Sequence, residues 1–168
     1  MSIYKPSLIE KALRIATVAH KDMVRKADGL PYILHPFAVA MRLQKEGFSD
    51  DVVAAGLVHD VLEDTDYPAE QLRKELGDKV YKMVLSVTND DALPWEEKKT
   101  KYIETVRRGS EGAKAVALAD KLHNLESLFI IYDKEGPAVW KKFNKGVEAK
   151  LWFEESVLKM LKEAWDHP

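Results

Sequence analysis

No cysteine occurs in this 168-residue chain. Disulfides, thiolate nucleophiles, cysteine-ligated zinc and iron–sulfur clusters are excluded together. The absence suits a reducing cytoplasm, which is the expected location. Long hydrophobic runs are missing too. No stretch reaches the length of a membrane span, and Met1–Glu10 lacks the apolar centre of a signal peptide. No membrane partner is therefore expected. Twenty-six basic and 28 acidic residues leave a net charge of −2, which argues against a general nucleic-acid binder. An anionic ligand has to be met by a local basic cluster. No window alternates with period two, so no sheet is expected. There is no internal repeat, low-complexity tract or linker to divide the chain. What remains is an ordinary globular composition, 46% hydrophobic and 32% charged, of a length that suits one domain, 1–168.

The periodicity that is present is helical. Leu8, Ala12, Ile15, Ala16, Ala19 and Met23 form the stripe of a first helix. Asp28-Gly29 and Pro31 mark a loop over 26–34. Pro36 opens a second helix and Gly47 stops it. Ser49, followed by Asp50 and Asp51, caps a third. Tyr67-Pro68 opens a fourth that ends near Gly77, and a fifth runs over 78–87. Pro94 starts a charged sixth that stops at Gly109. A seventh spans about 112–131, and a break at Gly136-Pro137 is followed by a short helix. The last covers 147–165, with Leu151, Val157, Leu158, Leu161 and Trp165 as its apolar residues. The expected fold is an all-α bundle of about eight to ten helices.

The third helix carries the most informative stretch, Leu57-Val58-His59-Asp60-Val61-Leu62-Glu63-Asp64-Thr65. Four ionisable residues in six positions of an apolar run are costly unless paired or metal-bound. On one helix, His59 and Asp60 could hold a metal while Glu63 and Asp64, a turn along, sit beside the water it activates. His35, stiffened by Pro31 and Pro36, is by itself either a capping histidine or a ligand. Asp120, after five small or apolar residues, is either a ligand or half of a buried salt bridge. Together His35, His59, Asp60 and Asp120 supply two imidazoles and two carboxylates. That set leaves a bound divalent cation near neutrality and suits manganese, iron or zinc better than calcium or copper(I).

The order His35, His59-Asp60, Asp120 resembles the HD-domain phosphohydrolases. Ala19-His20-Lys21, Arg25-Lys26, Gly29, Pro31-Tyr32-Ile33, His35-Pro36, Glu63-Asp64-Thr65, Val87-Thr88 and Ala119-Asp120-Lys121-Leu122 with Asn124-Leu125 are similar to the hydrolase domain of the RelA/SpoT family. The likeness is densest over residues 8–130, with helices over 137–166 packed on it. It is nearest to the stand-alone small alarmone hydrolases, which include the metazoan SpoT homologues. Asp22-Met23 stands where the bacterial multidomain enzymes carry Gly-Gln, and the loop over 26–31 is a residue longer than theirs.

The resemblance implies a single HD domain, one divalent metal (Mn²⁺), and hydrolysis of the 3′-pyrophosphate of ppGpp and pppGpp. It implies His35, His59, Asp60 and Asp120 as metal ligands, and Glu63 and Asp64 as the pair that positions and deprotonates water. Arg25, Lys26, Tyr32, Asn124 and Ser127 are implied as substrate contacts. Lys121, beside Asp120, is placed on phosphate or in an ion pair. His20 is read as packing or capping, His123 as a spectator and His167 as part of the tail. Trp152-Phe153 is read as a core stripe. Two alternatives stay open: an HD phosphohydrolase for another nucleotide, and a non-catalytic nucleotide sensor on the same scaffold. Oligomeric state is not readable from the sequence.

Overall fold

The computed structural model describes residues 5–26, 28–142 and 145–166; His167 lies outside them. Among these residues eight α-helices and one 3-10 helix form the fold. The sole β pairing among them is an isolated bridge, Val24 with Pro31. The helices are α1 (Leu8–Ala19), α2 (Leu34–Lys45), α3 (Asp50–Val58), α4 (Val61–Asp64), α5 (Ala69–Val87), α6 (Trp95–Arg108), α7 (Glu111–Glu135) and α8 (Gly146–Ala164). The 3-10 helix, Gly136–Lys142, joins α7 to α8.

Local chemistry accounts for most boundaries. Ser7 Oγ accepts from the Glu10 amide at 3.2 Å, and Ser110 Oγ from the Ala113 amide at 3.2 Å, each capping a helix start. Pro68 and Pro94 precede α5 and α6. α5 is interrupted at Gly77, whose φ of 88° and ψ of 166° are open only to glycine. The expected fourth and fifth helices are thus the two arms of α5.

α3 is the central rod. Every residue from Val52 to Val58 is buried, and it packs against α1, α2, α5 and α7. Gly56 sits tight against α2. A β-carbon there would lie 2.6 Å from Leu43 Cδ1 and 3.5 Å from the Ala40 Cα.

Two expectations need correction. The His-Asp motif is not inside one continuous helix: α3 ends at Val58, and His59 and Asp60 form a turn before the single-turn α4. Asp60 opens to a ψ of −7°, which re-aims α4 relative to α3. α8 also presents a different stripe. Phe153, Val157, Met160 and Leu161 are buried, while Leu151 and Leu158 are exposed. The cause is that α8 docks mainly on α6, with Phe153 edge-on to Tyr102 at 5.6 Å between centroids.

Candidate metal centre

Four segments bring the candidate ligands together. A tight hairpin, closed by Arg25 N–H to Leu30 O (2.9 Å) and Tyr32 N–H to Met23 O (2.9 Å), delivers the chain into α2. His35 lies in the first turn of that helix and is buried. His59 and Asp60 occupy the α3–α4 turn. Asp120 projects from the middle of α7 and is buried.

The imidazoles are oriented by their far nitrogens. His59 Nδ1 is 2.8 Å from the Gly56 carbonyl, which can only accept, so Nδ1 carries the proton and Nε2 presents a lone pair. His35 Nδ1 is 2.7 Å from His123 Nδ1. Burial, and then the neighbouring His35 and Arg25, push His123 down to about 4, so its ring is neutral and shares one hydrogen bond with His35 between the two Nδ1 atoms. The two Nε2 atoms converge on the carboxylates. His35 Nε2 is 3.0 Å from Asp120 Oδ1 and 3.5 Å from Asp60 Oδ2. His59 Nε2 is 3.2 Å from Asp60 Oδ1 and 3.8 Å from Asp120 Oδ1.

Lone pairs facing carboxylates at such distances require a proton or a cation between them. His59 Nε2 is buried without a hydrogen-bond partner. One donor atom each from His35, His59 and Asp120 falls within 4.8 Å of the others. This donor set fits a divalent metal. Without metal, burial pushes the His59 imidazole down, but Asp60 and Asp120 outweigh it and hold it up at about 9. Metal binding must displace that proton. Burial also works against the Asp120 charge. The Lys121 ammonium and the two imidazoles nevertheless hold its carboxyl well below the usual range.

The two acids of α4 have separate surroundings. Asp64 Oδ2 is 2.6 Å from the Tyr32 hydroxyl, which also reaches Asp60 Oδ2 at 2.9 Å. The single hydroxyl proton is shared between the two carboxylates. Burial, and then repulsion from Asp60, push the Asp64 carboxyl up to about 6. Glu63 instead faces Asn89: its oxygens accept from the Asn89 backbone amide at 2.8 Å and from Nδ2 at 3.0 Å. Tyr32 stacks on buried His20, with centroids 4.8 Å apart, so His20 packs rather than ligates.

Of the remaining sequence-predicted residues, Lys121 and Asn124 contact Asp120, and Arg25 reaches it through Asn124. Lys121 Nζ lies 2.9 Å from Asp120 Oδ2, and Asn124 Nδ2 donates to Asp120 Oδ1 at 2.5 Å. Arg25 Nη2 donates to Asn124 Oδ1 at 3.3 Å. Ser127 is buried on the same face of α7, outside the contacts that hold Asp120. Lys26 is exposed and lines a cavity of about 480 Å³ with Lys99, Lys121, Lys142, Lys145 and Lys150. The floor of this cavity includes Phe153, under Lys99 (4.5 Å) and Lys121 (4.8 Å), while Trp152 pairs with Trp95 at 5.8 Å. Sequence reasoning did not find this basic cavity, because its lysines are dispersed along the chain and each reads alone as a solvated charge. It also set aside His123, which touches His35, and passed over Asn89.

A pattern describing the HD domain matches residues 12–145. The mouse and human proteins named guanosine-3′,5′-bis(diphosphate) 3′-pyrophosphohydrolase MESH1 are each 40% identical over 121 residues, covering 70% of this chain and 68% of theirs. The structure of a metazoan orthologue of SpoT, described as hydrolysing ppGpp, superposes with a TM-score of 0.81 at 30% identity. It covers 97% of this chain and 90% of that one. A crystal structure from Listeria monocytogenes superposes with a TM-score of 0.74 at 39% identity, covering 80% of this chain and 86% of its own.

Proposed function

The chain belongs to the HD-domain family, and on that premise we propose that it is a metal-dependent hydrolase of the 3′-pyrophosphate of guanosine alarmones. It converts ppGpp and water to GDP and pyrophosphate, and pppGpp to GTP and pyrophosphate. The observation that carries this reading is the buried convergence of two imidazole lone pairs on two carboxylates, in a chain 40% identical to named enzymes of this activity.

His35, His59, Asp60 and Asp120 hold the metal in this reading, with Mn²⁺ as the ion. Bound there, it supplies Lewis acidity toward the phosphoryl oxygen and acidifies a water. Glu63 and Asp64 flank that water and take its proton. The bond from the 3′ oxygen to its phosphorus breaks, the water oxygen joins that phosphorus, and the proton taken from the water is returned to the departing 3′ oxygen. Arg25 and Lys26 meet phosphate, and Lys121 combines its ion pair to Asp120 with a share in the basic cavity. Tyr32, Asn124 and Ser127 complete the substrate contacts. Lysines around the cavity offset the repulsion that Glu63, Asp64 and a net acidic chain impose on a polyanion.

A substrate panel tests the reading. With Mn²⁺ present, kcat/KM for ppGpp is expected to exceed that for GTP, GDP and nucleoside monophosphates, with GDP and pyrophosphate as products in equal amounts. Preferential turnover of another nucleotide would replace the alarmone by that substrate. Binding without turnover of any nucleotide would support the sensor alternative.

A further inference from the structure

The two neighbouring acids of α4 are held by different chemistry, and the difference divides their work. Asp64 shares the Tyr32 hydroxyl with Asp60. Glu63 is half-buried, and one residue 26 positions away engages both of its oxygens. The Asn89 backbone N–H reaches Oε2 at 2.8 Å, and the Asn89 Nδ2 reaches Oε1 and Oε2 at 3.0 Å each. Behind Asn89, Lys99 Nζ donates to Oδ1 at 3.2 Å. An ammonium can only donate and a carboxylate can only accept, so this sandwich admits one orientation of the amide. Lys99 is itself pinned, with its ammonium 4.5 Å over the Phe153 ring.

The arrangement places a neutral amide where a direct lysine–glutamate pair could sit. A direct ion pair would fix the Glu63 carboxylate and also weaken it as a base, because an adjacent cation favours the charged form. Neutral donors fix it with less loss of basicity. A carboxylate has about four acceptor positions, and the Asn89 contacts leave one free on Oε1. We propose that Asn89 is the positioning residue of Glu63, and that Lys99 sets the orientation of the Asn89 amide. The assignment rests on the reading of Glu63 as a water-handling residue.

A double-mutant cycle on the full-length Mn²⁺-loaded protein, followed by single-turnover hydrolysis of ppGpp, tests it. Asn89→Ala is expected to lower kcat about ten-fold, the scale of one lost hydrogen bond to a charged group. KM for ppGpp and bound metal stay unchanged. In a Glu63→Gln background the same change is expected to cost less than about two-fold, because the group it positions no longer acts. Asn89→Asp keeps the side-chain shape but turns a carboxylate toward Glu63, so kcat falls at least as far. Lys99→Met lowers kcat in the wild-type background and not in Asn89→Ala. Equal losses from Asn89→Ala in both backgrounds, or a wild-type kcat in Asn89→Asp, would overturn the assignment and leave the role of Glu63 standing. Equal losses from Lys99→Met with and without Asn89 would overturn the Lys99 half. A wild-type kcat in Glu63→Gln alone would overturn the water-handling role, and this assignment with it.

Discussion

At the residue scale, the site works by committing one side of each ring so that the other side is free. Gly56 O accepts a hydrogen bond from His59 Nδ1, and His123 Nδ1 engages His35 Nδ1. His123 therefore holds the ring of His35 by the nitrogen turned away from the carboxylates. Removing such an outer partner typically weakens metal binding ~10–100-fold. His123→Ala is expected to raise the Mn²⁺ dissociation constant on that scale in calorimetric titration, while thermal stability changes little. An unchanged constant would return His123 to the role of bystander. Lys99 gives a second test at this scale. Burial, and then repulsion from Lys121, hold its ammonium down at about 8, below the free-lysine value of about 10.4. Between these values the unfolded chain binds more protons than the folded one, so stability gains with rising pH. Below about pH 8 the full cost of the buried charge is felt, and above about 10.4 none of it. Wild type should therefore gain on Lys99→Met between pH 7.5 and 9.5 in chemical denaturation. A constant difference between the two would contradict the low value.

At the element scale, the packing of α2 on α3 aligns the two histidines. Gly56 lies at this contact and its carbonyl orients His59. Gly56→Ala puts a methyl 2.6 Å from a buried Leu43 methyl. Overpacking of this kind costs ~1–3 kcal/mol. Urea denaturation of the variant is expected to show a loss in that range, and no loss would mean that Leu43 yields freely. Most helix boundaries were legible because proline, glycine and serine punctuate them. Gly77 announced its break through the same chemistry. The interruption at His59-Asp60 was not legible, since Val58-His59-Asp60-Val61 contains no breaker and keeps a helical apolar period. It is a turn in which the His59 ring bonds back to Gly56 and Asp60 opens toward the carboxylate cluster. The register of α8 was hidden for a related reason. Leu151 and Leu158 are as apolar as Phe153 and Met160, and docking on α6 decides which are covered.

At the scale of the whole molecule, a chain of net charge −2 concentrates positive charge in one lysine-lined cavity, the place proposed for the polyanionic substrate. The candidate ligands were legible as a spaced pattern, because buried histidine and aspartate in apolar helices need a chemical reason. The lysine cavity, Asn89 and His123 were not, because their roles exist only once α2, α6, α7 and α8 are assembled. No helix among the described residues is long and apolar enough to cross a membrane. The central claim is that His35, His59, Asp60 and Asp120 form one metal site that supports alarmone hydrolysis. It is tested most directly by titrating metal-stripped protein with Mn²⁺ while following pyrophosphate release from ppGpp. The account predicts no release before metal is added, a rate that saturates at one ion per chain, and no recovery in Asp60→Ala. Full-rate hydrolysis by the metal-free protein, or intact ppGpp in the presence of the fully loaded one, would contradict it.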